Sequence, residues 1–313
     1  MKIYNKLIAL VVACGLVGVS YAQDEAAGGN LTDNISIAGF VDAAYTDNDD
    51  NGTDSSDIGI EQIEIDFLFG FGSVSGEVHI QSDGAGNIEL EQAFLTYDAG
   101  NSISVTVGQY GSALGLERED PQGLYTVSRA YRGAGLNLGD ADNNTAQGVA
   151  FSYASGDFSA RLSLQDDNGA LDADDNLDTE ISVAYTGIEN LVLGGGVEQG
   201  NGDQSTDITN VHATYTAGKT LIAAEWIELD SATVGDDVEA YSIIVDYDLS
   251  DKLGIAIRVT DEDSDTAADD VESVTIAPNY AITDDLGAIL EFSDVEAGGY
   301  DYKAVSLELT LTF

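Results

Sequence analysis

Apolar and polar residues alternate with a period of two along most of this chain, most clearly in Val305-Ser306-Leu307-Glu308-Leu309-Thr310-Leu311-Thr312-Phe313. Successive side chains of an extended strand point to opposite faces, so one wall of this segment holds Val, Leu and Phe and the other Ser, Glu and Thr. Ile63, Ile65, Phe67, Phe69 and Phe71 form the same kind of wall opposite Gln62, Glu64 and Asp66. Val74, Val78 and Ile80 stand opposite Ser75, Glu77, His79 and Gln81, and Tyr241, Ile243, Val245 and Tyr247 opposite Ser242, Ile244 and Asp246. The pattern predicts an all-β chain of about sixteen strands, each roughly ten residues long. They cover 34–46, 58–70, 73–82, 88–98, 102–110, 145–155, 157–166, 179–187, 190–199, 207–217, 219–229, 238–248, 252–260, 271–282, 284–294 and 300–313.

The connections alternate as well. Even-numbered strands end in short turns such as Gly70-Phe71-Gly72-Ser73, Asp98-Ala99-Gly100-Asn101 and Ser155-Gly156-Asp157, whereas most odd-numbered strands lead into longer polar segments, including 46–57, 166–178 and 261–270. Strands near the ~9–11 residues that a tilted membrane strand needs, with short turns on one rim and long loops on the other, predict a closed antiparallel transmembrane β-barrel. Its turns would face the periplasm and its long acidic loops the exterior. Closure follows from the solvent, because an unpaired backbone amide in hydrocarbon costs several kcal/mol. Sixteen strands leave a water-filled lumen, where eight would be filled by their own side chains.

Tyr45, Tyr97, Tyr110, Tyr153, Tyr185, Tyr215, Trp226, Tyr247 and Tyr280 lie near strand ends, as in the aromatic belts of membrane proteins. The strand preference of tyrosine accounts for part of that distribution. Pro278 is a misfit in a sheet without edges, and predicts a bulge or an early strand end.

The N-terminus carries Lys2 and Lys6, an apolar run over 7–19 and then Ser20-Tyr21-Ala22, the pattern of a secretory signal peptide over 1–22 cleaved after Ala22. Residues 23–313 then form the barrel domain. The apolar run is shorter than the ~20 residues of a spanning helix. The only cysteine, Cys14, lies within it, so the mature chain has no disulfide or thiolate chemistry. The formal charge of the whole chain is −47. Of its 10 basic residues Lys2 and Lys6 lie in the leader, which leaves eight against 57 acidic ones. Nucleic acid is excluded as a partner on this ground. Composition by itself leaves two classes open, a soluble acidic β protein and a β-barrel.

With apolar faces turned to lipid, the polar faces line the lumen: Asp42, Glu64, Asp66, Glu77, His79, Glu91, Arg161, Glu225, Asp246 and Arg258, with Gln62, Gln81, Glu180, Glu291 and Glu308. A wall this acidic predicts preference for cations. The longest connection, 111–144, holds Glu117, Arg118, Glu119, Asp120, Arg129 and Arg132. A loop of ~30 residues without strands of its own is usually functional.

The stretch Val107-Gly108-Gln109-Tyr110-Gly111-Ser112-Ala113-Leu114-Gly115-Leu116-Glu117, with Asp120-Pro121 and Ser128-Arg129, resembles the corresponding region of a family of β-barrel porins. Strand pattern, loop order and the terminal Phe313 also resemble sixteen-stranded Gram-negative porins over the entire mature chain. The resemblance implies an outer-membrane homotrimer among lipid and lipopolysaccharide, passing ions, cations included, and small hydrophilic solutes by passive diffusion. It also implies that loop 111–144 folds inward and narrows the bore with the charges of Glu117, Arg118, Glu119, Asp120, Arg129 and Arg132. One departure is that the strands carry no basic cluster to face an acidic loop, so the loop itself supplies much of the positive charge.

Other chemistry is weakly supported. The only histidines, His79 and His212, fall on strands far apart in the predicted order, with no base beside a nucleophile, so neither an enzymatic activity nor a cofactor is expected. Asp261, Asp263, Asp265, Asp269 and Glu272 have EF-hand spacing, yet Thr266 stands where glycine belongs and no helices flank them. No metal site is therefore expected, although these acids are the weak candidates and diffuse bridging of divalent ions to headgroups suits them better. Two rivals remain: a non-conducting barrel with an adhesive or envelope-structural role, and a soluble, calcium-loaded adhesin.

Overall fold

A computed structural model describes residues 34–313 except 51, 85, 118–120, 132–144, 167–176, 202–205, 232–236, 266–269 and 298–299. The signal-peptide expectation over 1–22 lies outside the described residues. Sixteen strands follow in chain order: β1 Ile35–Asp50, β2 Thr53–Phe71, β3 Val74–Ser82, β4 Glu89–Gly100, β5 Ile103–Gly111, β6 Thr145–Ser155, β7 Phe158–Asp166 and β8 Asp178–Ile188. The second half comprises β9 Leu191–Gln199, β10 Thr206–Ala217, β11 Thr220–Ser231, β12 Val238–Asp248, β13 Leu253–Ser264, β14 Val271–Ala281, β15 Leu286–Ala297 and β16 Tyr300–Thr312. Each pairs antiparallel with its chain neighbours, and β16 pairs with β1 to close the barrel. The seam extends to the last residue, where Gly39 and Phe313 exchange both backbone hydrogen bonds at 3.1 and 3.0 Å.

The barrel is apolar outside and polar inside. Val305, Leu307, Leu309 and Leu311 on β16 and Phe313 just after it are all at least 40% exposed, while Ser306, Glu308 and Thr310 are at most 9% exposed. Ile257, Ile276, Phe292, Val211 and Ile243 continue the outer surface on other strands. This inversion of the usual core is what a lipid solvent demands.

Alternation is preserved across two places where the chain slips phase. The β1–β2 register steps from Asp42↔Gln62 to Ala43↔Ile60 and leaves Glu61 unopposed, so Ile58 and Ile60 face outward together with Ile65. Between β3 and β4 the step from His79↔Gln92 to Ile80↔Leu90 leaves Glu91 unopposed and buried while Leu90 and Leu95 both face out. Short turns use the left-handed backbone that tight hairpins require, at Gly72, Gly156, Gly218 and Asn190.

Three expectations change. The predicted connection 46–57 is strand almost throughout: β1 extends to Asp50 and β2 starts at Thr53, and Gly52 between them donates its N–H to Asp49 Oδ1 at 2.9 Å. Polar residues pair as strands there because a hairpin in water needs no apolar face. Pro278 causes neither a bulge nor an early strand end; the β14–β15 ladder skips Ala277 and Pro278 and resumes in the same register at Asn279↔Ile289. Tyr110 faces inward instead of joining the outer girdle, with the glycine at Gly148 leaving room for its hydroxyl.

Candidate functional site

The loop after β5 turns into the barrel. Its root is held by Arg161 on β7, whose Nη2 donates to Gly111 O at 3.2 Å and whose guanidinium lies 4.7 Å from the centroid of the Tyr110 ring. The Tyr110 hydroxyl pairs with Ser163 Oγ at 2.7 Å.

From there the loop runs along the inner wall by offering its N–H groups to carboxylates. The Ser112 hydroxyl donates to Glu180 on β8, and Ala113 N reaches both Glu180 oxygens at 3.1 Å. Leu114 is fully buried against β9, where Gly194-Gly195-Gly196 provides no side chains; a Cβ on Gly196 would stand 2.6 Å from Leu114 Cδ2. Leu116 N donates to Glu225 Oε1 on β11 at 2.7 Å. Glu225 also accepts from Asn210 Nδ2 at 2.7 Å and from the Tyr131 hydroxyl at 3.2 Å.

The returning limb continues the pattern on the far arc. Val127 N and Ser128 N donate to Glu291 Oε2 on β15 at 2.7 and 3.0 Å. Three carboxyl acceptors, Glu180, Glu225 and Glu291, thus fix the loop's course. Arg258 on β13 binds both limbs: Nη1 reaches the two Glu117 oxygens at 3.0 Å, Thr126 Oγ1 at 2.7 Å and Ser128 O at 2.7 Å, while Nη2 reaches Ser128 Oγ and Arg129 O at 2.8 Å. Glu117 closes the knot by accepting Ala130 N at 2.7 Å, and its carbonyl accepts Arg129 Nη1 at 2.8 Å.

Apolar loop residues cover an apolar part of the inner wall. Leu116 and Tyr125 pack on Leu221, Ala223, Ile244, Ala256 and Ala277, and Tyr131 packs on Ile227, Leu229, Val238 and Ala240. The inner face of β11 is therefore Leu221, Ala223, Glu225, Ile227 and Leu229, less polar than a water-facing wall. Burial, and then the neighbouring Glu225, hold the Tyr131 phenol well above its ordinary range; burial, then Asp246, does the same for Tyr125. Both phenols keep their protons, and that of Tyr131 is donated to Glu225.

The predicted residues thus divide. Glu117 and Arg129 lie in the inward loop, whereas Arg118, Glu119, Asp120 and Arg132 fall outside the described residues. Arg161, Glu225 and Arg258 are wall residues bound to the loop. Asp42 on β1 accepts Thr310 Oγ1 at 3.1 Å close to Glu308, and Asp246 on β12 accepts Asn279 Nδ2 at 3.3 Å. Glu64, Asp66, Glu77, His79 and Glu91 gather on β2–β4: His79 Nδ1 is 3.0 Å from Glu64 Oε1, 3.3 Å from Asp66 Oδ1 and 3.9 Å from Glu91 Oε2, and Nε2 is 3.0 Å from Glu77 Oε2.

The EF-hand-like spacing does not form a loop site. Asp261 and Asp263 lie within β13 and face outward opposite the buried Glu262, Asp265 follows the end of β13, Glu272 lies on β14, and Asp269 is outside the described residues. Strand pairing across Asp261↔Glu272 replaces the turn that such a site needs. Asn210, Thr126 and Tyr131 carry no signal in the sequence, Tyr110, Ser112 and Ser128 stand in the porin-like stretch with no role attached, and Glu180 and Glu291 read only as wall acids. The one signal for the loop's seat was the triple glycine of β9.

Solved structures share this architecture at low sequence identity. The anion-selective porin of Comamonas acidovorans aligns with a TM-score of 0.67 at 14% identity over 89% of this chain and 99% of its own. The outer-membrane channel DcaP of Acinetobacter baumannii aligns at 0.66 and 12% identity, over 89% and 97%. OmpF of Salmonella typhi, in complex with daunomycin, aligns at 0.66 and 13% identity, over 90% and 98%. No curated protein matches the chain in sequence. The profile of the Gram-negative porin family matches residues 8–299, nearly the full length. A closed sixteen-stranded barrel, greasy outside and polar within, and a profile match of that extent agree: this chain belongs to the Gram-negative porin family and is an outer-membrane channel for diffusion.

Proposed function

We propose that this porin prefers cations, passes ions and small hydrophilic solutes through a water-filled bore, and is narrowed by the inward loop around Glu117 and Arg129. The sign of the charge on the inner wall carries this reading. Arg258 and Arg161 direct their guanidinium groups at the loop, to Glu117 and to backbone carbonyls. Against them stand Asp42, Glu64, Asp66, Glu77, Glu91, Asp246 and Glu308, all inward-facing. Such a wall lowers the free energy of cations in the bore and raises that of anions. An anion-selective relative with the same fold argues that side chains, and not the barrel, set the sign.

The remaining parts of the reading follow from kinship. A neighbour from Vibrio cholerae, OmpT, is described in a trimer form, and we assign a homotrimer here too. The outer surface contacts outer-membrane lipid and lipopolysaccharide, and the leader is removed after Ala22. The protein is a channel and not an enzyme: His79 lies among carboxylates on β3, and His212 pairs with Asn210 on the distant β10.

The double substitution Glu64→Gln with Asp66→Asn tests the proposal in planar bilayers with EDTA present. The reversal potential in a KCl gradient moves toward zero; a reversal potential equal to that of the unmodified channel contradicts it.

A further inference from the structure

We propose that Glu64, His79 and Glu91, joined by Asp66, bind one borderline divalent metal ion such as Zn²⁺ on the inner wall of the barrel. The three principal residues come from adjacent strands, β2, β3 and β4, and one ligand-capable atom from each lies within 4.8 Å of the others. Tetrahedral bonds of about 2.0–2.2 Å to imidazole nitrogen and carboxylate oxygen separate neighbouring donors on one ion by about 3.3–3.6 Å. His79 Nδ1 stands 3.3 Å from Asp66 Oδ1, within that range, and Glu64 Oε1 at 3.0 Å and Glu91 Oε2 at 3.9 Å bracket it, so each needs only a small rotamer adjustment.

The orientation of the imidazole is an independent observation. Glu77 lies 3.0 Å from Nε2 on the other side of the ring, where its carboxylate accepts the Nε2 proton. That arrangement turns the Nδ1 lone pair toward the three other acids, as in carboxylate–histidine–metal sites. His79 Nδ1 and Asp66 Oδ1 are both buried atoms with no well-aligned hydrogen bond, and Nδ1 faces the oxygens of Glu64 and Asp66 at ion-pair distance. A lone pair facing carboxylate oxygens is stable only with a positive charge between them. A proton there serves Nδ1 and one oxygen, whereas an ion serves all of them. The nitrogen donor favours a borderline cation over Ca²⁺ or Mg²⁺.

The β4 bulge puts the third donor in place. Because Glu91 is the unopposed residue, Leu90 and Leu95 keep their lipid-facing positions while Glu91 turns in beside His79. The site lies apart from the loop contacts on β7–β15 and is not required for conduction.

The test uses the folded full-length barrel in detergent, stripped with EDTA and titrated with ZnCl₂ against a chromogenic chelator. One Zn²⁺ binds per chain. His79→Ala and Glu91→Gln abolish that binding, and Glu77→Gln, which leaves the donors intact but frees the ring, weakens it about 10–100-fold. Asp261→Asn with Asp263→Asn leaves it unchanged. Since His79→Ala also removes a ring near Phe94, the unmodified protein provides a second readout, a visible Co²⁺ absorption band that saturates at one equivalent. Absence of stoichiometric binding, or affinity unmoved in His79→Ala, overturns the proposal and leaves a proton as the occupant. Reversal potentials taken in EDTA report on cation preference separately, so the two readings fail independently.

Discussion

Arg258 of β13 and Glu117 of the inward loop meet with Nη1 3.0 Å from both carboxylate oxygens, although 141 residues separate them in the chain. Arg258 is fully buried, and its other donors go to Thr126, Ser128 and Arg129, so one wall side chain holds both limbs of the loop. Breaking a buried pair by removing one partner strands the other charge and costs about 3–5 kcal/mol. Arg258→Met should therefore lower the denaturation midpoint and, by releasing the loop from the wall, change the single-channel conductance. A conductance identical to that of the unmodified protein would mean that the loop's position does not depend on Arg258.

Glu291 makes a narrower prediction. Its Oε2 accepts the N–H groups of Val127 and Ser128, and Oε1 accepts Ser293 Oγ. Glu291→Gln removes the charge from two charge-assisted hydrogen bonds, at a cost of about 1–3 kcal/mol. Amide hydrogen exchange should speed up at Val127 and Ser128 while the strands stay protected. Uniform change across the barrel would show instead that the substitution acts on global stability.

The two faces of β16 differ in their solvent, which neighbouring positions can expose. Leu309, midway along the outward run from Val305 to Phe313, faces lipid, and Thr310 faces the bore beside Asp42 and Glu308. Arginine on a lipid face near the bilayer midplane costs about 2–4 kcal/mol. Leu309→Arg should lower stability in lipid vesicles by that amount, and Thr310→Arg, which brings a cation to two carboxylates, by much less. Equal losses would contradict the assignment of faces.

These positions also mark what the sequence could reveal. Alternation in 300–313, 238–248 and 271–282 placed β16, β12 and β14 within a residue or two, because a lipid face imposes a local period that each strand carries alone. The bulges at Glu61 and Glu91 left no such trace, since an unopposed residue is defined only against a partner strand. The loop's contacts were hidden for a related reason. Glu225 and Glu64 look alike in the chain, yet one receives Leu116 N and the other faces His79, and non-local pairing alone distinguishes them. Apolar inner positions such as Ile227 and Leu229 likewise make sense only once Tyr131 covers them.

The central claim is an aqueous, acid-lined bore through a lipid-facing barrel. The direct measurement is the zero-current potential of single channels of the unmodified protein, in EDTA, across a KCl gradient in a planar bilayer. Discrete conductance steps with a potential displaced toward the K⁺ equilibrium value are predicted; displacement toward the Cl⁻ value, or a membrane that stays insulating with the barrel inserted, would contradict it.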